Sequence, residues 1–203
     1  MLGAETTTVQ TAQTAQTVQT VQTAQTVQTA PPDAAGVDEA LFRAAMTGLA
    51  KCVAVTTALG PDGPVGCTTT SLMSLSVAPP SVLLAFGAGG RTLDDLLGAG
   101  RFAVNVLSHT QGPLVRRFAT GTPAQRFRDT PHAVLRGVPV LHGAALVLTC
   151  DVAETFTSVD HVLVVGTVRH LSTTPGSPLV LVTGEPHIAT PVPPAPAATD
   201  HPR

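Results

Sequence analysis

The chain has 203 residues, 43% of them hydrophobic, and a formal net charge of −2. That is enough apolar content for one domain with a sizeable core plus appendages, and ten arginines with a single lysine, Lys51, spread without a basic run set nucleic acid aside as a partner. Cys52, Cys67 and Cys150 lack C-x-x-C spacing, the first 42 residues carry no Lys or Arg, and no apolar run approaches the ~20 residues that span a bilayer, so a cytoplasmic chain with reduced thiols and no membrane partner is expected.

Residues 1–35 read as a low-complexity tail. From Thr8 to Ala30 the triplet T-[VA]-Q repeats, and a period of three spreads Val9, Val18, Val21 and Val27 around a helix instead of gathering them on one stripe. Without large apolar residues such a tract does not offset its ordering entropy, so disorder is expected, with a self-associating or partner-bound β segment as the alternative. Residues 36–190 form the folded domain. The Pro-rich segment 191–203 is a second expected disordered tail.

Within the domain, Asp38 predicts an N-cap for a helix to about residue 50. Leu41, Ala45 and Leu49, with Phe42 and Met46 beside them, form an apolar face expected to pack. A strand over 52–57, a turn over 60–64 and a returning strand over 65–69 predict a hairpin. Strands over 81–86 and 102–107 flank a helix expected to start at Thr92 as N-cap, with Asp95 in the reciprocal capping position. An Arg-bearing helix over about 110–119 follows, then long β-rich runs over 144–154 and 161–170 and a short one over 179–182. Six or seven mostly hairpin-connected strands with helices in the gaps predict a small antiparallel barrel.

The segment 65–80, VGCTTTSLMSLSVAPP, concentrates small hydroxyls: Thr68, Thr69, Thr70, Ser71, Ser74 and Ser76. Pro79-Pro80 denies a helix there, so a shaped loop between two strands is expected. Uncharged donors and exposed N–H groups suit a polar, planar ligand bearing phosphate. Gly89-Gly90-Arg91 then lies at the positive end of a helix dipole, where phosphate is favoured. The same hydroxyls also suit strand edges and turns that bind nothing. GAGGRT is no dinucleotide fingerprint, because Thr92 stands where the third glycine belongs, and Walker, nucleophile-elbow and metal-ligand spacings are missing from the sequence.

The order G-x-T-x-x-S-L-x-S-L-S-x-x-P-P from Gly66 to Pro80, then a strand, Arg91-Thr92, a short helix and FAVNVL, resembles the flavin reductase family with the FMN-binding split-barrel fold. Arg126-Phe127, the segment 137–150 and Val159-Asp160-His161 continue the likeness, which covers about 37–189. The resemblance implies a mainly β split barrel with flanking helices, usually a homodimer. It implies an NAD(P)H:flavin oxidoreductase that passes a hydride from NADH or NADPH to FMN or FAD and supplies reduced flavin to a flavin-dependent monooxygenase. It places Thr68, Thr69, Thr70, Ser71 and Leu72 against flavin, Gly90, Arg91 and Thr92 against phosphate, and His161 with Asp160 at the nicotinamide. The chain departs from the family at Thr70, where Asn is common, at Met73, where a small polar residue is common, at Val159, where Gly is common, and at Gly184-Glu185-Pro186, where the closing G-x-[YF] is lost. With no Trp or Tyr, ring stacking falls to Phe86, Phe118 or Phe127. A flavin-binding electron carrier and a non-catalytic dimeric scaffold are the alternatives on the same barrel. Pyridoxamine phosphate oxidase-like chemistry fits less well, for it needs a denser set of basic phosphate ligands.

Overall fold

The computed structural model describes residues 36–192, so the repeat tract and the Pro-rich tail beyond its first two residues lie outside the described residues. In chain order come α1 (Glu39–Thr47), β1 (Lys51–Cys52), β2 (Ala54–Gly60), β3 (Gly63–Thr69), β4 (Met73–Val77), β5 (Pro80–Gly87), α2 (Arg91–Ala99) and β6 (Arg101–Val106). A short 3₁₀ turn leads into α3 (Gly112–Thr120) and α4 (Pro123–Phe127). Then follow β7 (His132–Leu135), β8 (Val138–Leu141), β9 (Leu146–Ser158), β10 (His161–Thr173), β11 (Leu179–Val182) and β12 (Glu185–Ile188).

Seven strands form one antiparallel sheet in the order β3-β2-β6-β9-β10-β5-β4. β3 and β4 are its two edges, yet residues 70–72 alone connect them. The four Cα steps from Thr69 to Met73 reach at most about 14 Å, so the sheet must roll until its edges meet at that end. No ladder joins the two edges, and the roll stays open. This is the split barrel, mainly β with helices outside.

β2 is buried on both faces over residues 54–58 and serves two cores by strand alternation. Ala54 and Ala58 face the barrel interior with Leu84, Leu96, Phe102, Val104 and Val164. Val55, with Val53 just ahead of the strand, faces a second core with Leu107, Phe118, Phe127, Leu141 and Leu179. α3 and α4 cover that second core, where Phe118 and Phe127 meet edge-to-face at 5.2 Å. The β7–β8 hairpin turns through Arg136 and Gly137, both at positive φ (52° and 80°), the backbone of a two-residue hairpin turn. Buried Asn105 fastens it to the sheet: Leu141 N–H donates to Asn105 Oδ1 at 2.8 Å, and Asn105 Nδ2 donates to Val55 O at 2.9 Å.

Several expectations change. The hydroxyl-rich segment is not one loop, since Thr68 and Thr69 end β3 and residues 73–77 form β4 on the edge of β5. The helix expected to start at Thr92 starts at Arg91, with Gly90 as a cap that has no side chain to offer. Gly90 O accepts from both Leu93 N and Asp94 N, and burial of Leu93 and Leu96 sets the helix phase in place of a side-chain cap. Asp38 does cap α1, accepting from Leu41 N at 2.9 Å. The apolar face of α1 does not pack against the other described residues, however, and Leu41 and Phe42, with Leu49 just beyond the helix, are more than half exposed. α4, the β7–β8 hairpin and β12 were not expected, being short elements whose place is set by packing or pairing.

Candidate active site

The gap in the rolled sheet is where the site residues collect. Residues 69–73 cross from β3 to β4 past the end of β5 that β4 leaves unpaired, and Ser71 secures the crossing: its Oγ donates to Ala85 O at 2.8 Å and accepts from Ala85 N at 3.0 Å. Beyond that point Ala85, Phe86 and Gly87 run opposite Cys67, and a cavity of about 280 Å³ opens between them. Its walls bring Thr68, Thr69, Thr70 and Ser71 together with His161. His161 arrives there by register, pairing with Gly87 across β5 and β10.

A second cavity of about 280 Å³ shares Cys67, Phe86 and Gly87 with the first and is lined further by Gly90, Arg91, Thr92, Asp95 and Arg126. The two are halves of one groove, a hydroxyl and histidine end and an arginine and helix-terminus end. A third cavity of about 450 Å³ shares Val65, Arg91 and Pro123 with the second and continues the groove past the β2–β3 turn to Phe127. Leu72 turns away from the groove and packs against the barrel core, and Asp160 borders the groove only through His161.

The hydroxyls are partly committed to the fold. Thr69 is 4% exposed and shares a 2.8 Å hydrogen bond with Thr56 Oγ1, and Thr68 Oγ1 donates to Val115 O at 2.7 Å. Thr70 stands exposed on the groove wall. Among the three phenylalanines expected to offer a ring, Phe86 borders both halves of the groove, Phe127 only its far extension, and Phe118 is fully buried in the second core.

Charge is arranged at both ends. His161 Nδ1 lies 2.7 Å from Asp160 Oδ1, and the hydrogen bond from that histidine holds the Asp160 carboxyl below its ordinary value. An ionised carboxylate only accepts, so a proton sits on Nδ1 and Nε2 is the ring nitrogen left to meet a ligand. The turn that aims this pair, residues 159–160, keeps Val159 at φ +55°, a conformation that explains why glycine suits this position. At the other end, Arg91 reaches Asp62 at 3.2 Å and lies 3.9 Å from Asp95 Oδ2. Arg126 donates from Nη1 to Gly66 O at 2.6 Å. Arg126 Nε and Asp95 Oδ2 are both buried and without a hydrogen-bond partner among the described residues, a costly state for a guanidinium and a carboxylate. One unpaired donor and one unpaired acceptor therefore border the same half of the groove. Sequence reading noted Arg126 without assigning it to the groove and used Asp95 only as a cap, because each reaches the groove from an element whose position is tertiary. Burial pushes the Cys67 thiol up, so it is a wall of the groove and no nucleophile.

Comparison with known proteins agrees with this arrangement. A family model described as a flavin reductase like domain matches residues 46–189. The chain is 38% identical over 136 residues to a flavin reductase (NADH) of Kitasatospora aureofaciens, covering 65% of this chain and 71% of the relative. It is 30% identical over 155 residues to the reductase subunit HsaB of a flavin-dependent monooxygenase from Mycobacterium tuberculosis, covering 75% of this chain and 83% of the relative. Among solved structures, a Streptomyces globisporus NADH:FAD oxidoreductase in complex with NAD and FAD fragments superposes with a TM-score of 0.71 at 26% identity, covering 76% of this chain and 94% of that one. With the split barrel, the groove in its gap and a family match over most of the described residues, the chain belongs to the flavin reductase family.

Proposed function

We propose that the protein is an NAD(P)H:flavin oxidoreductase that takes FMN or FAD as an exchangeable substrate and supplies reduced flavin to a partner flavin-dependent monooxygenase in the cytoplasm. The observation that carries this reading is the single groove joining Thr68, Thr69, Thr70, Ser71 and His161 to Gly90, Arg91, Thr92 and Arg126. The unpaired Arg126 Nε and Asp95 Oδ2 fit a ligand that offers both a phosphate oxygen and a hydroxyl, as the ribityl phosphate of flavin does. The third cavity leaves room for the second half of a dinucleotide, so FMN and FAD both fit.

When bound, the flavin ring supplies the redox chemistry, accepting a hydride from the nicotinamide. The chain's own residues bind and orient. Gly90 and the first turn of α2 offer backbone N–H groups and a dipole to phosphate, and Arg126 adds a guanidinium already fixed by Gly66 O. Phe86 and Thr70 border the ring end. His161, steadied by Asp160, accepts from the carboxamide of nicotinamide and holds that ring over the flavin, which converts an encounter into a near-attack arrangement. No side chain has to form a bond. Relatives that serve as monooxygenase reductase subunits support delivery of the product to an oxygenase.

The working unit is residues 36–190, paired as a homodimer. The exposed apolar faces of α1, with Leu41 and Phe42 and with Leu49 just beyond it, and of β4, with Met73, Leu75 and Val77, are surfaces a second copy would cover. Among the described residues no helix is long and apolar enough to cross a membrane. The test is oxidation of NADH and of NADPH by purified protein with FMN, FAD or riboflavin. Flavin-dependent consumption of either nucleotide is expected. No consumption with any flavin at micromolar protein overturns the proposal, and a monomer by light scattering overturns the pairing.

A further inference from the structure

A second concave site lies on the outside of the sheet and shares no lining residue with the groove. It measures about 300 Å³, where the β7–β8 hairpin meets β6, β9 and β10, and is lined by Arg101, Arg136, Thr149, Asp151 and Arg169 among others. Thr149 and Asp151 flank Cys150, which faces the barrel core, so both point outward. Arg101 pairs with Asp151 across β6 and β9. A bulge between Val168 and His170 leaves Arg169 without a ladder partner on β9. It re-aims that side chain onto the same face, where Nε donates to Asp151 Oδ2 at 2.8 Å. The tight turn brings in Arg136, whose carbonyl accepts from Arg101 Nη1 at 3.4 Å.

Three arginines and one carboxylate therefore line one small cavity, an excess of two positive charges, and among the described residues Asp151 pairs with Arg169 alone. Thr149 in the cavity wall is 2% exposed, and its Oγ1 has no hydrogen-bond partner among the described residues. A buried hydroxyl left unpaired beside converging arginines is costly unless something occupies the cavity. We propose that this pocket binds a phosphate-bearing small anion. Guanidinium forks pair bidentately with phosphate oxygens, a doubly charged tetrahedral group matches the excess of two charges, and the Thr149 hydroxyl supplies a further donor. Such a site would let the level of a phosphorylated metabolite or of free phosphate act on the protein away from the flavin groove.

The test is calorimetric titration of the full chain with pyrophosphate and with phenyl phosphate, with Arg126→Gln as the control for binding in the flavin groove. Binding that weakens with added salt is expected, with Arg101→Gln and Thr149→Val each lowering affinity, the arginine change by at least about tenfold. NADH-dependent flavin reduction by both variants should remain at the wild-type rate. Binding of pyrophosphate alone assigns the site to free oxyanions, and binding of both assigns it to phosphomonoesters. No binding at millimolar probe, or binding unaffected by both substitutions, overturns the proposal, as does binding that is lost in Arg126→Gln instead.

Discussion

Replacing Arg126 by Gln tests the groove most directly, because the two ends of its guanidinium do different things. Nη1 donates to Gly66 O at 2.6 Å and ties α4 to β3, while Nε is buried and unpartnered beside Arg91 and Thr92. If Nε meets the flavin phosphate, the substitution removes one charge-assisted hydrogen bond, worth about 1.5–3 kcal/mol. That corresponds to a rise in the FMN dissociation constant of about 10- to 150-fold. Riboflavin has no phosphate, so its affinity should change by less than about threefold on the same arithmetic. Loss of the Gly66 contact should separately cost about 1–3 kcal/mol of stability, read as a lower melting temperature. Fluorescence titration of wild type, Arg126→Gln and Arg126→Lys with FMN and with riboflavin completes the cycle, the lysine variant recovering part of the FMN affinity. Equal weakening for both flavins in a folded variant, or unaltered FMN binding, would refute phosphate contact by Arg126.

Other outcomes follow from neighbouring geometry. His161→Ala should lower kcat by about tenfold through lost orientation, with a stability change under about 1 kcal/mol because its side chain is half exposed; unchanged kcat returns the residue to a turn role. Val159→Gly should relieve the φ +55° turn by about 1–2 kcal/mol, offset by about 0.5–1 from glycine's added chain entropy. A calorimetric melt should therefore rise by about 1–4 °C, and a fall would show that the turn is unstrained. A Cβ added at Gly166 would lie 2.4 Å from Phe102 Cζ and 3.0 Å from Cys150 Cβ. Gly166→Ala should thus cost about 1–3 kcal/mol or more and lower the melt by about 2–4 °C per kcal/mol, an unshifted melt marking that approach as wrong. Removing residues 1–35 should leave flavin-dependent NADH oxidation and melting temperature unchanged, and a clear loss of either would show that the tract belongs to the working unit.

Much of the local structure followed from the sequence by itself, where local chemistry is strong. Asp38 caps α1 as its side-chain type and position require, and a short strand runs over Leu179–Val182 as its apolar run indicates, though β12 follows it. The runs at 144–154 and 161–170 marked β9 and β10 but fell short at their outer ends, because residues 155–158 and 171–173 are held by pairing with each other's strand and carry little burial. The order of motifs from Gly66 to His161 was enough to indicate the family, since ligand loops and strand phases are written in short contiguous segments.

Tertiary structure decided what those motifs meet. Only the rolled sheet puts the Thr68–Thr70 segment opposite Gly87 and His161, residues roughly 20 and 90 positions away in the chain, through strand order and register that no local pattern encodes. Thr68 and Thr69 looked like ligand donors, yet Val115 O and Thr56 Oγ1 already engage them, which a composition-level reading of hydroxyls does not register. Arg126, Asp95 and Thr149 gain their meaning from buried polar atoms without a hydrogen-bond partner among the described residues, a property of the packed chain alone. The α1 face looked like core by its periodicity, and periodicity reports that a surface is apolar without reporting what covers it; among the described residues nothing does.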